Sequence, residues 1–460
     1  MIYAFTTVLA LNVGITLASM VQEDSKPKSN STEEQRTDDP ARSDPILDPS
    51  VRLQSFEKVW TTVRDKHWDP SLHGLDWNAV REEFLPRATE AATTEQLDEV
   101  LNEMLGRLGQ SHFGVIPADV YRSIEDSNSE NSAGQEDASN DSPPVGTIGA
   151  SLRIVDGQAT VWRMDPEGSA AVAGIRTGWI LQSIDGEDLP SRLQRISEGV
   201  SSATDPELLK RLIVDHLTDG PHGKTKSFVW QDADGKSHES ILEFKTPAGM
   251  RSQFGNLPAT HVTCETKVLD SGVMVFSLGQ FFEPTAVLTK FEELLRENEG
   301  ASGLIIDLRG NPGGLGFMAM SIGGFLAKEK GLYLGSMTTR AGSLKFSLVP
   351  RSISFHGKVA VLVDEYSMST SEILAAGLQE TGLARIFGRK TPGMALPSAI
   401  EMLPHGSGFQ YAFANYEMAS GEPLEGRGVV PDESVSLQRE DLLAARDADL
   451  EAAVRWIHEK

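Results

Sequence analysis

Residues 363–394 read VDEYSMSTSEILAAGLQETGLARIFGRKTPGM. An apolar run ends there, Ser367, Ser369 and Ser371 follow at alternate positions, and an amphipathic helical pattern begins at once. Ser369-Thr370-Ser371-Glu372 has the S-x-x-E form of a capping box, in which the serine and the glutamate satisfy the first free N–H groups of a helix. A cap explains Ser369 without any chemistry. The same position also suits a nucleophile, because a helix N-terminus turns free N–H groups and positive potential toward a developing oxyanion.

The stretch LIIDLRGNPGG, residues 304–314, lies upstream. Its first half is too apolar for anything but an interior strand, and its glycines let backbone N–H groups approach a ligand with no side chain in the way. It lacks the GK[ST] ending of a phosphate-binding loop. From about His261 strand-like runs (SGVMVFSLG, GLIIDL, VAVLVDE) alternate with helical ones (PTAVLTKFEELLREN, SEILAAGLQETG). That alternation predicts an α/β core over 248–460 with largely buried strands.

Five further segments precede this core. Residues 1–22 form an uncharged apolar run, expected to be an export signal or membrane anchor that places the chain outside the cytoplasm. Residues 23–50 and 118–142 are acidic and polar, the signature of disordered linkers. Between them, 51–117 is a small helical domain: in VRLQSFEKVWTTVRDKHW the apolar residues Leu53, Phe56, Val59, Trp60 and Val63 recur at three- and four-residue spacing. Residues 143–247 form a β-rich module. Its stretch DPEGSAAVAGIRTGWILQSIDGEDL resembles a PDZ domain, with Trp179 where the usual aspartate of a Gly-Asp pair stands.

The formal charge of −24 and pI near 4.8 argue against a nucleic-acid partner, which needs clustered Lys and Arg. The single cysteine, Cys264, excludes an internal disulfide and a CxxC motif. No cluster of His, Cys or carboxylates has metal-ligand spacing, so neither metal nor cofactor is expected.

Taken together, the 304–314 loop and the serine helix resemble the core of the C-terminal processing, or tail-specific, peptidases, whose relatives include tricorn protease. The resemblance implies a multidomain α/β chain: a small helical domain, a PDZ-like module, and a crotonase/ClpP-like catalytic core. It makes Ser369 the nucleophile of a serine endopeptidase acting through an acyl-enzyme, and leaves Ser371 as a cap. The oxyanion would be held by the N–H of Thr370 and of Gly313 or Gly314. Tail-specific proteases take the serine proton with a lysine in a T-[FY]-G-K stretch; here it reads Thr391-Pro392-Gly393-Met394, and Lys390 comes four residues early. Tricorn supplies another base. Gly109-Gln110-Ser111-His112 matches its G-x-S-H stretch, and Glu425 in EGRGVVPD matches its glutamate before a G-V-x-P-D turn. The implied set is Ser369 attacking, His112 as general base, and Ser111 and Glu425 orienting the imidazole.

Apart from the motifs, His112 also reads as a structural residue at a helix end, and Glu425 as a solvated loop acid. Thr370 departs from tricorn, which has aspartate there. The other histidines, among them His216, His238 and His405, are expected at the surface. By resemblance the PDZ-like module binds extended polypeptides, with a C-terminal carboxylate at Thr147, Ile148, Gly149 and Ala150. Substrates are then unfolded or C-terminally tagged proteins. The rival reading is a catalytically inactive family member that binds peptides or small ligands, with Met394 as the trace of a lost lysine. Oligomeric state is not legible.

Overall fold

The computed structural model describes residues 46–118, 145–199, 210–211, 213–214, 216–253 and 260–459. The expectations for residues 1–22, and for most of both linkers, fall outside the described residues. Among the described residues, no helix is long and apolar enough to cross a membrane.

Three helices open the chain: α1 (Pro49–Lys66), α2 (Trp77–Glu90) and α3 (Thr94–Gly106). Helix α1 starts ahead of the expected boundary at 51. The Asp48 carboxylate caps it by accepting the Ser50 N–H at 2.7 Å, and Pro49 fits the first turn. Phe56, Val59, Phe84, Leu97 and Leu101 pack together at the centre of this layer. Strand β1 (Gly114–Ile116) follows directly after Ser111 and His112.

The second module is an antiparallel sheet of β2 (Ala150–Val155), β3 (Gln158–Met164), β4 (Ile180–Ile184), β5 (Thr225–Gln231) and β6 (Ser237–Glu243), in that spatial order. Asp185-Gly186, both at positive φ, make the tight turn after β4 that the SIDGED stretch predicts. Leu152, Val161, Leu181, Phe228 and Trp230 fill its core.

The third part holds β7 (Cys264–Val268), β8 (Val273–Leu278), α4 (Pro284–Glu297), β9 (Gly303–Asp307), α5 (Gly316–Gly324), β10 (Lys358–Val363), α6 (Thr370–Glu380) and β11 (Arg385–Gly388). A hairpin of β12 (Ser398–Met402) and β13 (Gly408–Ala412) comes next, then β14 (Glu433–Ser434) and α7 (Ala448–His458). The sheet order is β7-β8-β9-β10-β11-β14, parallel throughout except for the β7–β8 pair. Both faces are covered, as the apolar strands require. Leu304 and Ile306 of β9 pack with α4, α5 and α6, whereas Ile305 points the other way onto Ala453 and Ile457 of α7. Strands β9 and β10 are parallel neighbours, so the 308–314 loop and the 364–369 turn leave the same edge of the sheet, where such folds place their sites.

The hairpin is the exception to this layout. Strand β13 pairs with β1, forming a sheet in the order β1-β13-β12, and Leu403, Phe409 and Tyr411 enter the helical core. Its tip is braced by His405, whose Nδ1 lies 2.8 Å from Ser55 Oγ and whose Nε2 lies 2.7 Å from Asp98 Oδ1. His405 is therefore a buried brace, and the expectation that it sits at the surface is wrong. The His216 side chain, 8% exposed beside Asp219, is largely buried too.

Candidate active site

The three serines after β10 separate by what they touch. Ser367 Oγ donates to the carbonyl of Leu308 at 2.8 Å and accepts the Asp364 N–H at 2.9 Å. Ser371 was expected to cap the helix; instead its Oγ reaches across to the carbonyl of Asn311 at 2.9 Å. Both hydroxyls tie the glycine loop to the turn. Ser369, half-buried at the N-cap of α6, lines a cavity of about 530 Å³. Its φ of 54° and ψ of −116° are a strained conformation for a non-glycine residue.

Glu372 holds that conformation. The carboxylate is buried and accepts four hydrogen bonds: from the N–H groups of Ser369 (3.0 Å), Met394 (2.9 Å) and Gly393 (2.7 Å), and from Thr391 Oγ1 (2.5 Å). Burial pushes its pKa up to about 7 against the pull of those donors. The capping motif shows one of these contacts; the other three come from backbone and a hydroxyl 19 to 22 residues on, which no side-chain pattern marks.

His112 lines the same cavity and is its only titratable side chain among the described residues. It too has a positive φ, 62°. Its Nδ1 lies 2.6 Å from Ser111 Oγ, and that hydroxyl donates to Glu425 Oε2 at 3.0 Å. Glu425 also accepts the N–H groups of Ser111 and Ala395, each at 2.9 Å. One hydroxyl proton serves one acceptor. With that proton given to the carboxylate, Ser111 Oγ accepts from His112 Nδ1–H, and Nε2 is left as the open basic nitrogen. Burial holds the imidazole neutral, its pKa pushed down to about 4, and raises the pKa of Glu425. Of the residues expected from the sequence, Ser111, His112 and Glu425 are hydrogen-bonded together across 314 positions of sequence, and Ser369 lines the cavity that His112 lines.

Opposite Ser369 stands the glycine loop. A Cβ on Gly313 would lie 2.7 Å from Ser369 Cβ and 3.0 Å from the Thr370 nitrogen. The Gly313 N–H is already donated to Asn311 Oδ1 at 2.9 Å, which removes it as an oxyanion donor. The N–H groups of Gly314 and Thr370 have no partner among the described residues, and both residues line the cavity.

Residues 276–435 match peptidase family S41, and residues 50–106 match the tricorn protease C1 domain. The S41 match and relatives named carboxyl-terminal-processing protease support the C-terminal processing peptidase family. The chain is a serine-type peptidase. It is 25% identical over 382 residues to the carboxyl-terminal-processing protease of Picosynechococcus sp., covering 82% of each chain. To the putative tricorn protease homolog 2 of Streptomyces coelicolor it is 25% identical over 441 residues, 89% of this chain and 32% of that one. Its fold is similar to the photosystem II D1 C-terminal processing protease (TM-score 0.54, 22% identity, 89% and 98% of the two chains). It is likewise similar to mature CPAF (TM-score 0.59, 13% identity, 89% and 96%).

Within this peptidase, the position of the lysine in tail-specific relatives is occupied by a side chain facing elsewhere. Met394 is buried in the apolar cluster of the second module with Met368, while its carbonyl accepts the Ser369 N–H at 3.0 Å. Lys390 is exposed and does not line the cavity. The carboxylate loop of the second module also differs from expectation. The N–H groups of Thr147 and Ile148 go to the carbonyls of Lys245 and Thr218, and that of Gly149 goes to Thr147 Oγ1. Thr147–Ala150 is therefore a hydrogen-bonded crossing with at most the Ala150 N–H to offer, and no open nest for a carboxylate.

Proposed function

We propose that this peptidase cleaves polypeptides with Ser369 as nucleophile and His112 as general base. The observation that carries the reading is the Glu425–Ser111–His112 chain, which occupies Nδ1 and leaves Nε2 open in the cavity that Ser369 lines. His112 Nε2 takes the Ser369 proton as Oγ attacks the scissile carbonyl, whose oxygen moves into the N–H groups of Gly314 and Thr370. The imidazolium returns that proton to the leaving amine, giving an acyl-enzyme and a free N-terminus. Water, deprotonated by the same nitrogen, then releases the new carboxylate and restores Ser369. Glu425, acting through Ser111, stabilises the imidazolium.

The second module is PDZ-like in this reading and the core crotonase/ClpP-like, and substrates are extended or unfolded chains presented by their C-termini. The names of relatives that process carboxyl termini support this, as does the free outer edge of β2, which lines a cavity of about 640 Å³ between the module and the core. Relatives include chloroplastic proteases, in keeping with a location outside the cytoplasm for this chain.

The test is labelling by a fluorophosphonate probe from pH 5 to 9, with mass mapping. Labelling at Ser369 that is lost in Ser369→Ala and His112→Ala and kept in Lys390→Ala is the expected result. A folded wild type that never reacts would instead leave a peptide-binding protein without catalysis.

A further inference from the structure

The cavity shared by Ser369 and His112 is lined by Gln410, a polar side chain that the reaction does not use. Gln410, 3% exposed, stands on β13 opposite Gly114. Its Nε2 donates to Ser398 Oγ at 2.8 Å, while Oε1 is buried with no partner among the described residues. Both Gln410 and Ser398 line the cavity. A buried acceptor without a donor is costly, so a bound group that donates to it is favoured. The rest of the wall is apolar and aromatic, including Phe317, Phe346, Ile400 and Phe413.

The group that fits can be named from this chemistry. The Ser398 hydroxyl both donates and accepts, so turning the amide over would leave an N–H open in place of Oε1. A hydroxyl answers either orientation. Serine and threonine would leave the aromatic wall uncovered; tyrosine covers it with a ring and reaches the amide with its tip. We propose that Gln410 is a specificity-determining residue, and that the cavity is a side-chain subsite selecting tyrosine in the polypeptide substrate over phenylalanine. This rests on the Ser369–His112 reading.

The test compares kcat/KM of the full chain on fluorogenic peptides carrying tyrosine or phenylalanine at one position at a time on either side of the scissile bond. At one position tyrosine is favoured about tenfold or more, the discrimination expected of a site built to bond a hydroxyl. In Gln410→Leu that ratio falls below one, and Gln410→Met, with a more adaptable side chain, gives the same inversion. A ratio near one at every position overturns the proposal, and so does a preference that survives both substitutions. Fluorophosphonate labelling of Ser369, run on the same proteins, keeps the two readings apart. Labelled protein with a flat ratio removes the subsite alone, whereas unlabelled, inactive wild type removes the nucleophile and the subsite together.

Discussion

Replacing Glu425 by glutamine removes a charge and keeps the shape. The hydrogen bonds of 2.6 and 3.0 Å through Ser111 put the carboxylate no farther from His112 Nδ1 than their sum, about 5.6 Å. At an effective dielectric near 20, unit charges at that distance attract by about 3 kcal/mol. In the proposed mechanism the imidazole is neutral in the ground state and charged only as Ser369 gives up its proton, so nearly all of this attraction belongs to the transition state. Glu425→Gln should therefore lower kcat by about 100-fold, with a much smaller effect on KM. The variant amide oxygen can still accept from Ser111 or Ala395, and a thermal melt within a few degrees of wild type would show that the fold is kept. The assay is steady-state hydrolysis of a fluorogenic peptide alongside the rate of fluorophosphonate labelling. A folded Glu425→Gln protein within fivefold of wild type in both would refute the relay, because no charge at that distance could then matter to the reaction.

Other outcomes follow from the same contacts. Gly313→Ala should abolish peptide hydrolysis, because its Cβ would stand 2.7 Å from that of Ser369 at a φ of 103°; wild-type turnover would show that the loop is not pressed against the nucleophile. Met394→Lys should not rescue His112→Ala and should lower the melting temperature, since it puts an ammonium into the apolar cluster around Met368; restored activity would mean that the side chain swings into the cavity. The pKa of His112 is lowered to about 4 from an ordinary 6.5, so the unfolded chain binds this proton more readily than the folded one. Its contribution is intact above pH 6.5 and is lost, by about 3 kcal/mol in all, as the pH falls to 4. Urea midpoints at pH 7.5 and 4.5 should thus fall less in His112→Asn than in wild type, and equal falls would refute the assignment.

What could be read from the sequence was local or borrowed from a resemblance. Strand β9 and the N-terminus of α6 follow from an apolar run and a capping motif, each visible within a dozen residues. Ser111, His112 and Glu425 carry no local signal of catalysis; only the family pattern brought them forward, and the bond from Ser111 to Glu425 spans 314 positions. Backbone donors are silent in sequence. That is why Glu372 read as a helix cap and not as the anchor of Gly393 and Met394, why Gly313 looked like an oxyanion donor, and why Thr147–Ala150 looked open when its amides were already bound to Thr218 and Lys245. The place of the 398–412 hairpin was hidden for another reason. Alternation predicts a strand but not which sheet receives it, so its membership with β1, and the burial of His405, depend on the tertiary fold.

The ladder between β1 and β13 is three residues long, pairing Gly114 with Gln410, Val115 with Phe409 and Ile116 with Gly408. Because strand side chains alternate, a slip of one residue would turn Val115 out of the helical core and move His112 along by about 3.3 Å. His112 thus takes its place in the cavity from a ladder of three rungs that joins the helical layer to the 398–412 hairpin.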